Sequence, residues 1–302
     1  MAWEPFLFLD SGTDVELIFR FYRILRATIL KFRDVHILID LRKNLDREYK
    51  NLLFAGIYSE PGVFEIEEAL IRLAEDKRVQ ELVPEVAGSL CALREAREAG
   101  DMEKRETELL SLYLALHGAG SRYKKEEKDK FRASQGIECL PGGILPLVLS
   151  SCLIDRGSVV ADLGCGNGLQ GLLLQMLRPH QKTVQAELCG ELISTGRLYQ
   201  EILGLDTQSV KWFHGDISEV LLGGVDLVYM YRPVRPSKQG FEIYRKIAGR
   251  ISALPHAVRV ISLADCLNGY LGDAFYILYQ NDFLTVFSSV EAQYTERILN
   301  EN

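Results

Sequence analysis

The sequence predicts an α/β protein whose second half forms a mostly parallel sheet, preceded by a mostly helical N-terminal region. Three observations carry that expectation. After about residue 135, short apolar and β-branched runs alternate with helical stretches, the pattern of βαβ units. A glycine-rich turn joins the first of these runs to the next helix, in Val159-Val160-Ala161-Asp162-Leu163-Gly164-Cys165-Gly166-Asn167-Gly168. Before residue 120, apolar residues recur instead at three- and four-residue steps.

Taken in order, 14–33 place Val15, Ile18, Phe19, Tyr22, Leu25 and Ile29 on one helical face, with the arginines on others. The apolar run 35–41 reads as a strand or as more helix, and Ser59-Glu60-Pro61-Gly62 as a turn. Residues 64–116 read as three helical pieces. Pro84 suits the first turn of the second piece, and Gly100 followed by Asp101 gives a helix stop and then an N-cap. The charge-dense stretch 121–135 is a linker or loop. The predicted organisation is therefore a mostly helical domain over 1–120, the linker, and the sheet domain over 136–302. Its position before the sheet domain predicts that the helical domain covers the ligand pocket of that domain and helps choose what binds there.

In the sheet domain, strands are expected at 159–163, 183–187, 210–214, 226–230 and 257–262, with helices at 168–178, 190–203 and 236–251. Two last strands, 275–279 and 284–288, flank a hairpin turn at Gln280-Asn281-Asp282.

Composition bounds the function. A chain of 302 residues, 47% hydrophobic and 25% charged, is a soluble globular protein with a sizeable core. No apolar run reaches the eighteen or so residues of a membrane span, so no membrane partner is expected. The apolar patch Phe6 to Leu9 lies between Glu4 and Asp10, the wrong charges for a secretory leader, and the expected location is the cytoplasm. Six scattered cysteines without a C-x-x-C pair read as reduced thiols, not metal ligands. The net charge of −7 argues against a nucleic-acid partner. Within 20–50, nine Lys/Arg face four Asp/Glu, which suits a solvated helix face or a local anion-binding face.

The glycine-rich turn lets backbone approach a ligand closely and offers the free N–H groups of a helix start. Gly166-Asn167-Gly168-Leu169-Gln170-Gly171 formally satisfies the dinucleotide pattern G-x-G-x-x-G. Asp162 argues against that ligand, because a carboxylate at the strand mouth repels a pyrophosphate and favours a cation. Glu187 ends the second strand nineteen residues after Gly168, where an acid can accept from both ribose hydroxyls. Asp216, in His214-Gly215-Asp216-Ile217, follows the third strand, where it can accept an adenine amino group while Ile217 packs on the ring.

These residues and this order of elements resemble the class I S-adenosylmethionine-dependent methyltransferases over residues 135–290, about half the chain. The resemblance implies a Rossmann-like, seven-stranded sheet with S-adenosylmethionine as cofactor. It implies that Asp162 lies beneath the methionine part, lined by Gly164, Cys165, Gly166 and Gly168. Glu187 would hold the ribose, and Asp216 and Ile217 the adenine. The lead-in 136–143 would close over the cofactor.

On the acceptor side the chain departs from the Asn/Asp-Pro-Pro-aromatic motif of methyltransferases acting on exocyclic amines or amides. It has Tyr229-Met230-Tyr231-Arg232-Pro233-Val234-Arg235-Pro236 instead, which puts that substrate class in doubt. Tyr231 and Arg232 are expected where the acceptor meets the methyl group. With Arg235 and Lys238, Arg232 gives three cations within seven residues, suited to an anionic small molecule or protein group. A non-catalytic S-adenosylmethionine-binding module on the same fold is the alternative to an enzyme.

Overall fold

The computed structural model describes residues 63–119, 129, 136, 142–235, 237–264, 266–280 and 284–290. The elements expected at 14–33, 35–41 and 59–62, the hairpin turn after Gln280, and nearly all of 121–135 lie outside the described residues.

Seven strands form one sheet in the order β3-β2-β1-β4-β5-β7-β6. They are β1 Val159–Leu163, β2 Lys182–Glu187, β3 Val210–His214, β4 Leu227–Tyr231, β5 Arg259–Leu263, β6 Tyr276–Gln280 and β7 Leu284–Ser288. The first five are parallel, and β7 runs antiparallel between β5 and the edge strand β6. This is the expected α/β sheet. The fourth strand begins one residue later than the spacing suggests and the fifth begins at Arg259, since Ala257 and Val258 still belong to the approach.

Helices cover both faces. They are α1 Val63–Glu75, α2 Lys77–Leu82, α3 Val86–Ala99, α4 Met102–Gly118, α5 Ile144–Cys152, α6 Leu169–Leu177, α7 Gly190–Leu203 and α8 Lys238–Ser252. Because side chains alternate across a strand, each strand feeds two cores. Val160, Leu227, Tyr229 and Ile261 face one core with α1, α4, α6 and α7. Ala161, Leu163, Val228, Met230 and Val260 face the other, built on Tyr244, Ile247 and Ile251 of α8.

The region 63–118 holds four helices rather than three. Asp76 breaks the first piece by capping α2, its Oδ1 accepting from Arg78 N at 2.8 Å. Pro84 precedes α3 by two residues instead of opening it. Gly100 closes α3 in the left-handed region, φ 66°, and Asp101 caps α4 through Lys104 N at 3.0 Å, both as the sequence predicts. These helices do not keep a core to themselves. Ile66, Leu70 and Leu73 of α1, and Leu109, Leu112 and Leu116 of α4, join Leu169, Leu172 and Leu173 of α6 and Tyr199 of α7 in one cluster.

Candidate cofactor-binding site

The strand order reverses at β1, whose neighbours β2 and β4 lead away in opposite directions. In open α/β sheets, ligands bind outside the carboxyl ends of the strands at such a switch point. Past Leu163 the chain stays tied to β2, because the amides of Gly164 and Cys165 donate to Ala186 O at 2.9 and 3.0 Å. It then folds back, with Gly168 N donating to Cys165 O at 2.9 Å, and enters α6. The turn takes left-handed backbone at Gly164, Gly166 and Gly168, φ 83°, 61° and 70°. At Gly164 there is no room for a side chain either, since a Cβ would lie 2.4 Å from Pro233 Cβ. At Gly168 the Trp212 ring closes the space at the same distance.

Asp162 is buried on the sheet face it shares with Gln185 of β2 and Tyr229 of β4. Burial first, and then the Glu187 charge, push its carboxyl up to about 8. Among the described residues no hydrogen-bond donor offsets them. Glu187, at the end of β2, is also buried but arranged differently. One of its oxygens accepts from Gly166 N at 3.0 Å, and the other from Leu188 N and Cys189 N at 2.8 and 2.9 Å. Burial raises its pKa while those three amides oppose the rise. Glu187 thus fastens the glycine loop to the end of β2 and keeps acceptor capacity for a further donor. Asp162 is a buried acid that keeps its proton at neutral pH, with burial and the Glu187 charge both opposing its ionisation. A cation set against it would favour ionisation, whereas an anion would oppose it further.

The backbone joins the third acid to this pair, since Gly215 N donates to Glu187 O at 3.0 Å. Asp216 is exposed, and its Oδ1 accepts from Ser218 N at 2.7 Å, capping the short turn Ile217–Glu219. Ile217 is buried in the second core. Arg250 of α8 holds this turn from below by donating to the carbonyls of Ser218 and Val220.

Tyr231 and Arg232 leave β4 beside the loop. Burial raises the Tyr231 phenol to about 12, so it carries its proton at neutral pH. Arg232 takes an uncommon left-handed φ of 35°, and its guanidinium donates to Ala264 O at 2.8 Å. Ala264, beyond β5, is itself left-handed at φ 54°. Two strained non-glycine residues therefore meet across the ends of β4 and β5, the kind of strain that concentrates at ligand sites. Val234 is pinned by Tyr244, whose hydroxyl donates to Val234 O at 2.5 Å, and pairs antiparallel with Gly136 of the lead-in. Arg235 and Lys238 are exposed.

Sequence reasoning missed the residues that tie the loop to the N-terminal helices. Asn167 Nδ2 donates to Leu116 O at 2.8 Å and to His117 O and Ala119 O, each at 3.2 Å. Tyr113 OH donates to Gln170 Oε1 at 2.9 Å and accepts from Gly143 N at 3.2 Å, while Gln170 Nε2 donates to Gly143 O at 3.1 Å. Tyr113 and Gln170 signal themselves only as polar groups on apolar helix stripes, and Asn167 only as a polar residue between two glycines.

Five parallel strands in the order 3-2-1-4-5, completed by an antiparallel β7 between β5 and edge strand β6, give the seven-stranded sheet that the sequence resemblance implies. No protein-family model and no curated protein sequence matches the chain. Among solved structures it is similar to an RNA methyltransferase from Salinibacter ruber in complex with S-adenosyl-L-homocysteine, at 18% identity and TM-score 0.38 over 48% of this chain and 87% of that one. It is similar to a putative RNA methyltransferase from Pyrococcus horikoshii, at 24% identity and TM-score 0.39 over 50% of this chain and 86% of that one. A third is the magnesium protoporphyrin IX methyltransferase of Synechocystis with bound S-adenosylmethionine, at 16% identity and TM-score 0.36 over 48% and 74% of the two chains.

Proposed function

We propose that this protein is an S-adenosylmethionine-dependent methyltransferase. The observation that carries the reading is the acid pair at the switch point, Asp162 held protonated by burial and the Glu187 charge, and Glu187 bound to the loop amides. S-adenosylmethionine brings a sulfonium and an ammonium, charges that favour ionisation of Asp162, and a ribose whose hydroxyls suit Glu187. A dinucleotide brings a pyrophosphate, which Asp162 disfavours. Asp162 would lie beneath the methionine part, along Gly164, Cys165, Gly166 and Gly168. Glu187 would take the ribose, and Asp216 and Ile217 the adenine.

The cofactor supplies an electrophilic methyl group. The chain's own residues bind, orient and exclude water, which is where most of the rate of such a displacement comes from. Tyr231 would donate a hydrogen bond from its phenol. Arg232, Arg235 and Lys238 would select an acceptor that carries an anionic group. Support for that choice is their grouping just beyond β4, on the edge where the methyl group would be presented.

Protein mixed with methyl-labelled cofactor and fractionated cell extract tests the reading. Label passing to an acceptor supports an enzyme. Binding without transfer to any fraction supports the alternative, a cofactor-binding module on the same fold. Arg232→Ala and Arg235→Ala should raise the acceptor KM while leaving cofactor affinity nearly intact, and unchanged acceptor kinetics in both would remove the anionic acceptor. A cytoplasmic location belongs to the same proposal. Among the described residues no helix is long and apolar enough to cross a membrane, and the described cysteines are all in the thiol form.

A further inference from the structure

We propose that Asn167 is a positioning residue of the glycine loop, and that through it the C-terminal end of α4 becomes part of the cofactor site. The proposal rests on the cofactor reading above. Asn167 lies between two left-handed glycines, Gly166 and Gly168, and is fully buried. Its side-chain N–H groups face three carbonyls at the end of α4, those of Leu116, His117 and Ala119, at 2.8 to 3.2 Å. Its Oδ1 accepts from Leu169 N, the first residue of α6, at 3.3 Å. One carboxamide thus serves carbonyls at the outgoing end of one helix and an incoming amide of the next, the helix termini where regular intrahelical bonding runs out.

Aspartate in this place has no ionised-state donor, and alanine has neither donor nor acceptor. The only other polar side chain in the loop, Cys165, turns its Sγ onto the adjacent Gly166 carbonyl. Asn167 is therefore the side chain that ties the loop to α4, while Glu187 at Gly166 N and Gln185 Nε2 at Gly168 O, each at 3.0 Å, tie the loop backbone to β2. A shift there moves the neighbouring Gly166 amide, and with it the contact to Glu187 at 3.0 Å.

Docking of α4 does not depend on Asn167 alone. Tyr199 OH donates to the same Leu116 carbonyl at 2.9 Å, and Tyr113 OH reaches Gln170 from the body of the helix. Loop position and helix docking can therefore be separated. Asn167→Ala, Asn167→Asp and Tyr199→Phe are each titrated calorimetrically with S-adenosylhomocysteine, and each Tm is measured without ligand. The wild type is expected to bind, and both Asn167 variants to lose at least about tenfold in affinity. Tyr199→Phe is expected to lower Tm yet keep affinity within about twofold, because it removes one hydrogen bond on Leu116 O and leaves the three Asn167 contacts to the helix end in place. Wild-type affinity in either folded Asn167 variant overturns the proposal, as does an equal loss of affinity in Tyr199→Phe. If neither Asn167 variant folds, the residue is an element of the fold and the proposal also fails. A wild type that does not bind removes the cofactor reading itself, a distinct result.

Discussion

Between about pH 4 and 8 the folded chain holds a proton on Asp162 that the unfolded chain has released, because burial and Glu187 raise its pKa from 3.8 to about 8. The group's contribution to stability is therefore greatest below that interval, falls as the pH rises through it, and levels off above it. Asp162→Asn removes this dependence. In the absence of ligand, the variant's Tm should gain on that of the wild type steadily across the interval, and a pH-independent difference would show that Asp162 does not titrate there. A bound cation favours the ionised form, so wild-type affinity for S-adenosylmethionine should rise with pH between about 6 and 8, a rise absent from Asp162→Asn. At Glu187 the expected effect is on binding. Glu187→Gln loses an acceptor and a charge and should weaken S-adenosylhomocysteine binding by about 1.5–3 kcal/mol in a calorimetric titration. The strand-end positions of both acids were legible in the sequence, Asp162 from the glycine turn that follows it and Glu187 from its place at the end of the second β-branched run. Asn167 was not, since its partners are carbonyls about fifty residues away and belong to a helix whose docking no local pattern records.

At the scale of elements, the strands were legible because β-branched runs bounded by turns have one reading in a buried parallel sheet. The helices 63–118 were legible as helices, but their number depended on a cap at Asp76 that reads equally well as a solvated acid. Their internal staple was invisible. Glu67 of α1 is buried and accepts from Arg105 of α4 through two hydrogen bonds of 2.9 Å, with Arg97 of α3 beside it at 3.7 Å. Removing Arg105 takes away the two 2.9 Å hydrogen bonds of a buried carboxylate and leaves Arg97 at 3.7 Å. Arg105→Ala should therefore cost about 3–5 kcal/mol in urea unfolding, whereas loss of the exposed Arg245–Glu242 pair should cost less than about 1 kcal/mol. Similar costs for the two would mean that the Glu67 carboxylate is rehydrated in the variant.

For the molecule as a whole, the shared core decides how the N-terminal helices behave. Leu109, Leu112, Tyr113 and Leu116 are fully buried against the sheet-side helices. A chain beginning near residue 130 would expose their partners on α6 and α7 and lose the Asn167 anchor. It is expected to aggregate or to fail to bind S-adenosylhomocysteine, and a soluble truncation with full affinity would make these helices an accessory. In the intact protein, ligand at a hundred times its Kd should stabilise the fold by about 2.7 kcal/mol, readable as a rise in Tm. The most direct measurement is a calorimetric titration of the intact chain with S-adenosylhomocysteine and, in parallel, with NAD. Saturable binding of S-adenosylhomocysteine at one site per chain, with no heat from NAD, is the expected result. Binding of NAD in its place would contradict the assignment of the Asp162 site to a cationic cofactor.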